Sequence, residues 1–107
     1  MANFNKFGGG GMNMQQMMKQ AQKLQEDMKR AQAELEAAEI EGVSGGGLVT
    51  VVMSGKKKIL AVRIKPEAVD PDDVEMLEDL ISAACHDAFN KSEELYNEKM
   101  GAYAQLM

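Results

Sequence analysis

The sequence predicts an α+β fold in which a long helix, a three-stranded antiparallel β-meander and a second long helix follow one another. A heptad pattern of apolar residues runs through the first third of the chain, and two segments rich in β-branched residues flank a turn near its middle. A second amphipathic pattern follows two prolines. The chain has 107 residues, which is one domain's worth of sequence.

The first helix is predicted over residues 13–39. Its apolar residues recur at alternating spacings of three and four, and good helix formers fill the positions between them. The seam consists of Met14, Met17, Ala21, Leu24, Met28, Ala31, Leu35 and Ala38. Such a seam indicates a coiled-coil-like helix, and we expect Leu24 and Met28 to lie in a core or dimer interface. Residues 1–12, which include four consecutive glycines, are predicted to form a flexible leader.

Three strands are predicted over about residues 40–65. Residues 48–53 and 59–65 flank the turn signal Ser-Gly-Lys-Lys at 54–57, and a short segment near 40–43 supplies the third strand. Pairing across the turn places a set of apolar side chains on one face of the sheet. Met53 shares this face with five residues that we expect to form the core and dimer interface: Val49, Val51, Leu60, Val62 and Ile64.

The second helix is predicted over residues 71–106. Asp70 is a natural N-cap, Pro71 suits the first helical position, and acidic residues in the first turn complement the helix dipole. Its apolar stripe consists of Val74, Leu77, Ile81, Ala84, Ala88, Leu95 and Met100. A small sheet covers only part of two helices that are each about 40 Å or longer, so the uncovered seams predict a homodimer.

Composition excludes several classes of protein. The longest uncharged apolar run spans six residues (48–53), against about 20 for a membrane span. Cys85 is the single cysteine, which excludes a disulfide scaffold and suggests a reducing cytosol. No apolar stretch follows a basic start, so a secretory signal is not expected. We therefore predict a cytoplasmic protein without a membrane partner.

Catalytic and metal-binding patterns are weak. Ser82, Cys85 and His86 lie on an unbroken predicted helix, which offers a nucleophile no turn to expose it and no oxyanion donors. The glycines at 45–47 lack the Lys-Ser/Thr of a phosphate-binding loop, and the acidic stretch 70–79 lacks calcium-ligand spacing. The sequence thus predicts no enzyme activity, cofactor, metal or small-molecule substrate.

The basic residues are distributed unevenly. Residues 1–65 hold ten basic and six acidic side chains, whereas residues 66–107 hold two basic and eleven acidic ones, so the net charge of −5 hides a basic segment. On the first helix, Lys19, Lys23 and Arg30 fall within about 40° of one another, away from the seam, and Lys29 lies to one side. Glu26 shares this stripe and is predicted to pair with Arg30 at i, i+4. The stripe is either a nucleic-acid surface or a solvated face.

A second basic cluster consists of the three lysines at 56–58 in the predicted hairpin turn, with Arg63 and Lys65 farther along the strand. Lysines are common at exposed turns, so this cluster also has two interpretations. Solubility explains it as well as an interaction with a polyanion does.

Several stretches resemble the YbaB/EbfC family of bacterial nucleoid-associated proteins. They lie at 17–25 (Met-Met-Lys-Gln-Ala-Gln-Lys-Leu-Gln), at 41–51 (Glu-Gly through the glycines to Leu-Val-Thr-Val), at 54–57, at 64–65 (Ile-Lys) and at 69–80 (Val-Asp-Pro-Asp-Asp-Val-Glu-Met-Leu-Glu-Asp-Leu). The likeness is collinear from about residue 12, so residues 13–107 are similar to a single domain of that family. It implies a tweezer-like homodimer that binds duplex DNA with little sequence specificity, alters its conformation and influences gene expression.

Two functional hypotheses follow. In the first, a homodimer associated with the nucleoid contacts DNA phosphates through Lys19, Lys23, Lys29 and Arg30. In the second, the protein is a coiled-coil adaptor or chaperone-like holder whose Met-rich helices grip protein clients. Salt dependence separates them, because phosphate binding releases counterions and apolar gripping does not.

Overall fold

The computed structural model describes residues 13–104, and its elements follow the predicted order. Helix α1 spans Met14–Ala37, and the strands β1, β2 and β3 span Ile40–Ser44, Val49–Met53 and Ile59–Ile64. A 3-10 turn over Pro66–Ala68 leads to helix α2, which spans Val74–Ala104. The predicted α+β fold is therefore confirmed. The predicted glycine-rich leader and residues 105–106 of the predicted second helix lie outside the described residues.

The sheet is antiparallel with strand order β1-β2-β3. Val49 pairs with Ile64 and Val51 with Val62, so these four residues share one face as the sequence predicted. A register shift between Val52 and Met53 places Ile59 opposite Met53, so Leu60 is the extra residue of β3 and has no direct partner on β2.

The chain divides into two compact units between Arg30 and Ala31. The first unit holds the N-terminal part of α1. Asn13 begins the helix, because its Oδ1 accepts a hydrogen bond of 2.8 Å from the backbone N–H of Gln16, which is the usual N-cap geometry. From there α1 continues without a break to Ala37.

The second unit has a core built where α2 packs against β1 and β2. Val49, Val51 and Met53 of the sheet meet Ala84 and Ala88 of the helix, and all five side chains are buried. The residue at position 42 of β1 is glycine, and a Cβ there would overlap the backbone of Ala84 and Ala88. The absent side chain lets the helix approach the strand closely.

The hairpin turn between β2 and β3 is attached to both helices. The backbone N–H of Gly55 donates to the carbonyl of Leu35 at 2.8 Å, and the buried hydroxyl of Ser92 donates to the carbonyl of Ser54 at 3.0 Å. Lys99 of α2 forms an ion pair of 2.8 Å with Glu34 of α1, and that hydrogen bond raises the pKa of Lys99. These contacts tie the C-terminal end of α1 to the hairpin and to α2.

Helix α2 begins three residues later than the sequence predicted. Asp73 is the N-cap, since its Oδ1 accepts a hydrogen bond of 3.2 Å from Met76 N–H. Asp70 instead stabilises a turn that precedes the helix. Its side-chain Oδ1 accepts a hydrogen bond of 2.9 Å from the backbone N–H of Asp72, and its backbone carbonyl accepts one from the N–H of Asp73. Pro71 lies in that turn rather than in the helix.

Candidate nucleic-acid interface

The basic stripe of the first unit lies on an unbroken helix. Because α1 is helical throughout, Lys19, Lys23 and Arg30 fall within about 40° of one another around its axis. All three side chains are exposed, as is Lys29. Leu24 and Met28 are half-buried. The stripe and the heptad seam therefore occupy different sides of the helix.

The charges on this stripe are mostly uncompensated. In residues 13–104, no carboxylate lies within ion-pair distance of Lys19, Lys23 or Lys29. Arg30 does have a partner, but it is Asp27 at 3.6 Å rather than the predicted Glu26. Both acids satisfy helical spacing, and the exposed i, i+3 pair is worth only about 0.5 kcal/mol. A phosphate can compete with so weak a partner.

The lysines of the hairpin turn do not behave alike. The Nζ of Lys57 lies 5.2 Å from the centre of the Phe89 ring and 5.4 Å from that of the Tyr96 ring, which is cation–π distance. Lys57 also has a left-handed backbone, with φ of 65°. All three lysines are exposed, and the structure gives aromatic contacts only for Lys57 among them. Sequence reasoning missed the contact of Lys57, although the seven-residue spacing of the two aromatics on α2 was a signal for it.

The remaining basic residues of the sheet are less available. Arg63 on β3 forms an exposed ion pair of 3.4 Å with Glu41 on β1, two strands away across the same face. Lys65 is exposed just beyond the end of β3. Within residues 13–104, Lys65 and the three hairpin lysines form no ion pair, so this side of the sheet is a second cationic surface against which the stripe on α1 has to be tested.

The predicted dimer and core residues fall into two groups. Val49 and Val51 are fully buried beneath α2. Leu60, Val62 and Ile64 on β3 are 47%, 45% and 37% exposed. Helix α2 covers β1 and β2 and leaves this outer strand open, so the three residues of β3 do not belong to the core of the single chain.

The residues weighed for catalysis all lie on α2. Ser82 and His86 are exposed on α2, and Cys85 packs at the edge of the core. Across residues 13–104, no group of three His, Cys, Asp or Glu side chains has a geometry that suits a metal ion. In the same part of the chain, no helix has both the length and the apolar character needed to cross a membrane.

Two curated proteins and one solved structure are similar to this chain. A nucleoid-associated protein of Alkaliphilus metalliredigens is 54% identical over 93 residues, covering 87% of this chain and 82% of that protein. A nucleoid-associated protein of Ruminiclostridium cellulolyticum is 55% identical over 93 residues, covering 87% and 81%. The crystal structure of an uncharacterized Helicobacter pylori protein has the same fold, with a TM-score of 0.69, 21% identity and coverage of 91% and 100%.

The profile of the YbaB/EbfC DNA-binding family matches residues 9–107, which is nearly the whole chain. The match includes the basic stripe, the sheet and α2. The resemblance found in the sequence is therefore confirmed, and the chain belongs to the YbaB/EbfC DNA-binding family.

Proposed function

We propose that this protein binds duplex DNA in the bacterial nucleoid, in the cytoplasm, through the basic stripe of α1. Lys19, Lys23, Lys29 and Arg30 contact the phosphate backbone. Family membership and the nucleoid-associated relatives support DNA as the partner. This function needs no catalytic group, cofactor or metal.

The observation that carries the proposal is the set of unpaired lysines on one helix. Lys19 and Lys23 are exposed, lie one turn apart and have no acidic partner in the described part of the chain. Free ammonium groups at this spacing release counterions when they neutralise phosphates, and this release drives nucleic-acid binding. Helix α2 is a poor candidate for the DNA-binding surface, because its many exposed carboxylates repel a polyanion, and this favours α1.

We propose that the binding species is a homodimer. Three neighbouring apolar side chains of β3 are exposed, and the inner face to which Val62 and Ile64 belong continues directly from the buried residues Val49 and Val51. A continuous apolar surface of this kind marks an interaction site, and a second copy of the chain covers it with the same residues. The tweezer-like shape implied by the family stays a prediction.

Binding is proposed to show little sequence preference. The commonest specific base contact is a bidentate one from a side chain such as arginine to guanine in the major groove. The chain has two arginines; we assign Arg30 to phosphate contact, and Arg63 is paired with Glu41. Lysine contacts to phosphates position a duplex without reading it. A dimer that holds the backbone at two places bends or stiffens the duplex between them, which is a route to effects on gene expression.

The test compares two double variants of equal charge change. Lys19→Glu with Lys23→Glu reverses the stripe, and Lys56→Glu with Lys58→Glu reverses the exposed hairpin lysines. Lys57 is left intact in both, because its ammonium group lies over aromatic rings. Fluorescence anisotropy with unrelated labelled duplexes is expected to show that the stripe variant loses at least about tenfold in affinity, on the order of 1.4 kcal/mol. The hairpin variant is expected to lose much less.

Each outcome of this comparison is informative. If only the hairpin variant loses affinity for DNA, the DNA-binding surface lies on the sheet rather than on α1. Retention in both variants would reject the phosphate-binding surface and favour the client-holding hypothesis, which the exposed Met14, Met17 and Met18 of α1 support. A preference of about a thousandfold for one duplex over scrambled competitors would contradict low specificity.

A further inference from the structure

An open groove lies at the N-terminal half of α2, in the second unit. Its volume is about 470 Å³. The lining combines three acidic and three apolar side chains: Asp73, Glu75, Met76, Asp79, Leu80 and Ala83. Leu80 also lies close to Gly45, so the groove is next to the turn between β1 and β2. No residue of β3 lines it.

The carboxylates of this groove have few partners. Asp73 is occupied in capping the helix through Met76 N–H. Glu75 and Asp79 form no ion pair with any basic residue in the part of the chain that the structure describes. A groove with an apolar lining and unpaired negative charge favours a ligand that is both apolar and positively charged. It disfavours DNA.

The chain itself contains a segment with the complementary chemistry. Residues 14–25 of α1 carry Lys19 and Lys23 and no acidic residue. Met14, Met17 and Met18 in that segment are 74%, 52% and 60% exposed, which is unusual for side chains so apolar. Met14 and Met18 lie one turn apart and form a ridge, and Lys19 projects about 100° to one side of it.

We propose that the groove binds residues 14–25 of α1 from another copy of the protein. The ridge of Met14 and Met18 packs on Met76, Leu80 and Ala83, because unbranched methionine adapts to an irregular groove. Lys19 then lies beside the acidic rim, and Lys23, one turn farther along, adds to the attraction. Because this contact does not use β3, it links homodimers into larger assemblies.

The contact also competes with DNA. We assign Lys19 and Lys23 to phosphate binding as well, so one copy of this helix cannot bind the groove and a DNA duplex at the same time. This part of the inference depends on the proposed function, whereas the groove contact itself does not. Homodimers without DNA are expected to associate at low salt, and added duplex DNA is expected to dissociate these assemblies.

The experiment measures the mass of the full chain by sedimentation velocity without DNA, at about 0.01 M and about 0.15 M salt, where the screening lengths are about 30 Å and 8 Å. The wild type is expected to exceed dimer mass at the lower salt and to return to it at the higher. Glu75→Lys with Asp79→Lys is expected to remain a dimer at both. Glu93→Lys with Glu94→Lys is the matched control, because both residues are exposed on α2 outside the groove, and it is expected to behave as the wild type.

A charge swap separates this contact from a general charge effect. The chain that combines Lys19→Glu and Lys23→Glu with Glu75→Lys and Asp79→Lys is expected to associate again at low salt, although either pair alone abolishes association. Dimer mass for the wild type at low salt would overturn the proposal, as would equal loss in the control or no recovery in the swapped chain. If the groove proposal fails in this way but the Glu75→Lys, Asp79→Lys variant still binds DNA normally, the proposed function is unaffected.

Discussion

At the residue scale, small side chains decide how closely the helix and the sheet of the second unit approach. Gly42 is buried against α2, and the neighbouring positions Ala84 and Ala88 carry only methyl groups. The sequence shows a glycine in a short apolar segment, which is ambiguous between a strand and a turn. The need for glycine becomes evident only when the helix is in place, because the clash is with residues more than 40 positions away.

The first prediction concerns this close approach. Gly42→Ala is expected to lower the free energy of unfolding by about 3 kcal/mol, since the new methyl group would force helix and strand apart. Gly101→Ala on α2 is the control, because a Cβ there meets no atom within 4 Å, and it is expected to be neutral or to stabilise by about 0.5–1 kcal/mol. Urea denaturation measures both. Equal effects of the two substitutions would show that the close approach does not limit stability.

Lys57 shows why a count of basic residues is a poor guide to a binding surface. Three consecutive lysines predict a cationic hairpin tip, yet the middle one lies over Phe89 and Tyr96. Similarly, helical spacing permits Arg30 to pair with either Glu26 or Asp27, and the structure selects Asp27. The sequence identifies which residues carry charge, but rotamers and distant neighbours determine which charges are free.

At the element scale, the exposed edge of β1 is closed by side chains of α2. Asp87 accepts a hydrogen bond of 2.9 Å from the backbone N–H of Val43, and Lys91 donates one of 3.1 Å to the carbonyl of Glu41. Asp87 and Lys91 also form an ion pair of 3.1 Å. Two of the backbone groups on the open edge of β1 are thus bonded to α2, which hinders the pairing of this edge with another chain.

The second prediction follows from the pKa of Asp87. The hydrogen bond from Val43 and the nearby ammonium group of Lys91 lower this pKa below its ordinary value of 3.8. A lowered pKa in the folded state means that the carboxylate stabilises the protein above pH 3.8 and loses this effect as the pH falls through the lowered pKa. Asp87→Asn is therefore expected to be less stable than the wild type at pH 7, with a difference that shrinks in acid.

Urea denaturation at a series of pH values tests this expectation. Glu94→Gln is the control, because Glu94 is exposed on the same helix and forms no ion pair within residues 13–104. Its stability difference from the wild type is expected to be small at every pH. A deficit in Asp87→Asn that stays constant down to pH values well below 3.8 would assign the effect to packing rather than to charge.

The sequence predicted the elements well and their ends less well. Heptad spacing and the Ser-Gly-Lys-Lys turn signal identify α1 and the hairpin because both patterns are local. The start of α2 was misplaced because Asp70 and Asp73 are both suitable caps, and only the turn around Pro71 distinguishes them. The register shift beside Met53 was missed because one extra residue leaves the composition of a strand unchanged.

At the scale of the whole molecule, the exposed apolar side chains of β3 are the main support for the proposed homodimer. The sequence assigned Leu60, Val62 and Ile64 to a core or a dimer interface without distinguishing the two. The structure shows that they are not buried within the chain. The stripe on α1 was also predictable, because a regular helix fixes the angular positions of its residues.

The third prediction concerns dimerisation. Val62→Glu is expected to weaken the homodimer strongly, because association would bury an unpaired carboxylate at a cost of several kcal/mol. Val43→Glu is the matched control, since Val43 is 40% exposed and lies on the opposite face of the sheet. Sedimentation velocity at about 0.15 M salt over a range of concentrations measures both. A Val62→Glu protein that remains a dimer at low micromolar concentration would exclude β3 from the interface.

The central claim is that a homodimer binds duplex DNA through phosphate contacts from α1, and the salt dependence of affinity tests it most directly. Lys19, Lys23 and Lys29 give about six contacts per dimer, and Arg30 raises the number to about eight when phosphate displaces Asp27. At about 0.9 per contact, the plot of log affinity against log salt is expected to have a slope between about −5 and −7. Replacing Lys19 and Lys23 with glutamine is expected to flatten that slope by about 3 to 4. A wild-type slope near zero, or an unchanged slope in the glutamine variant, would contradict the account.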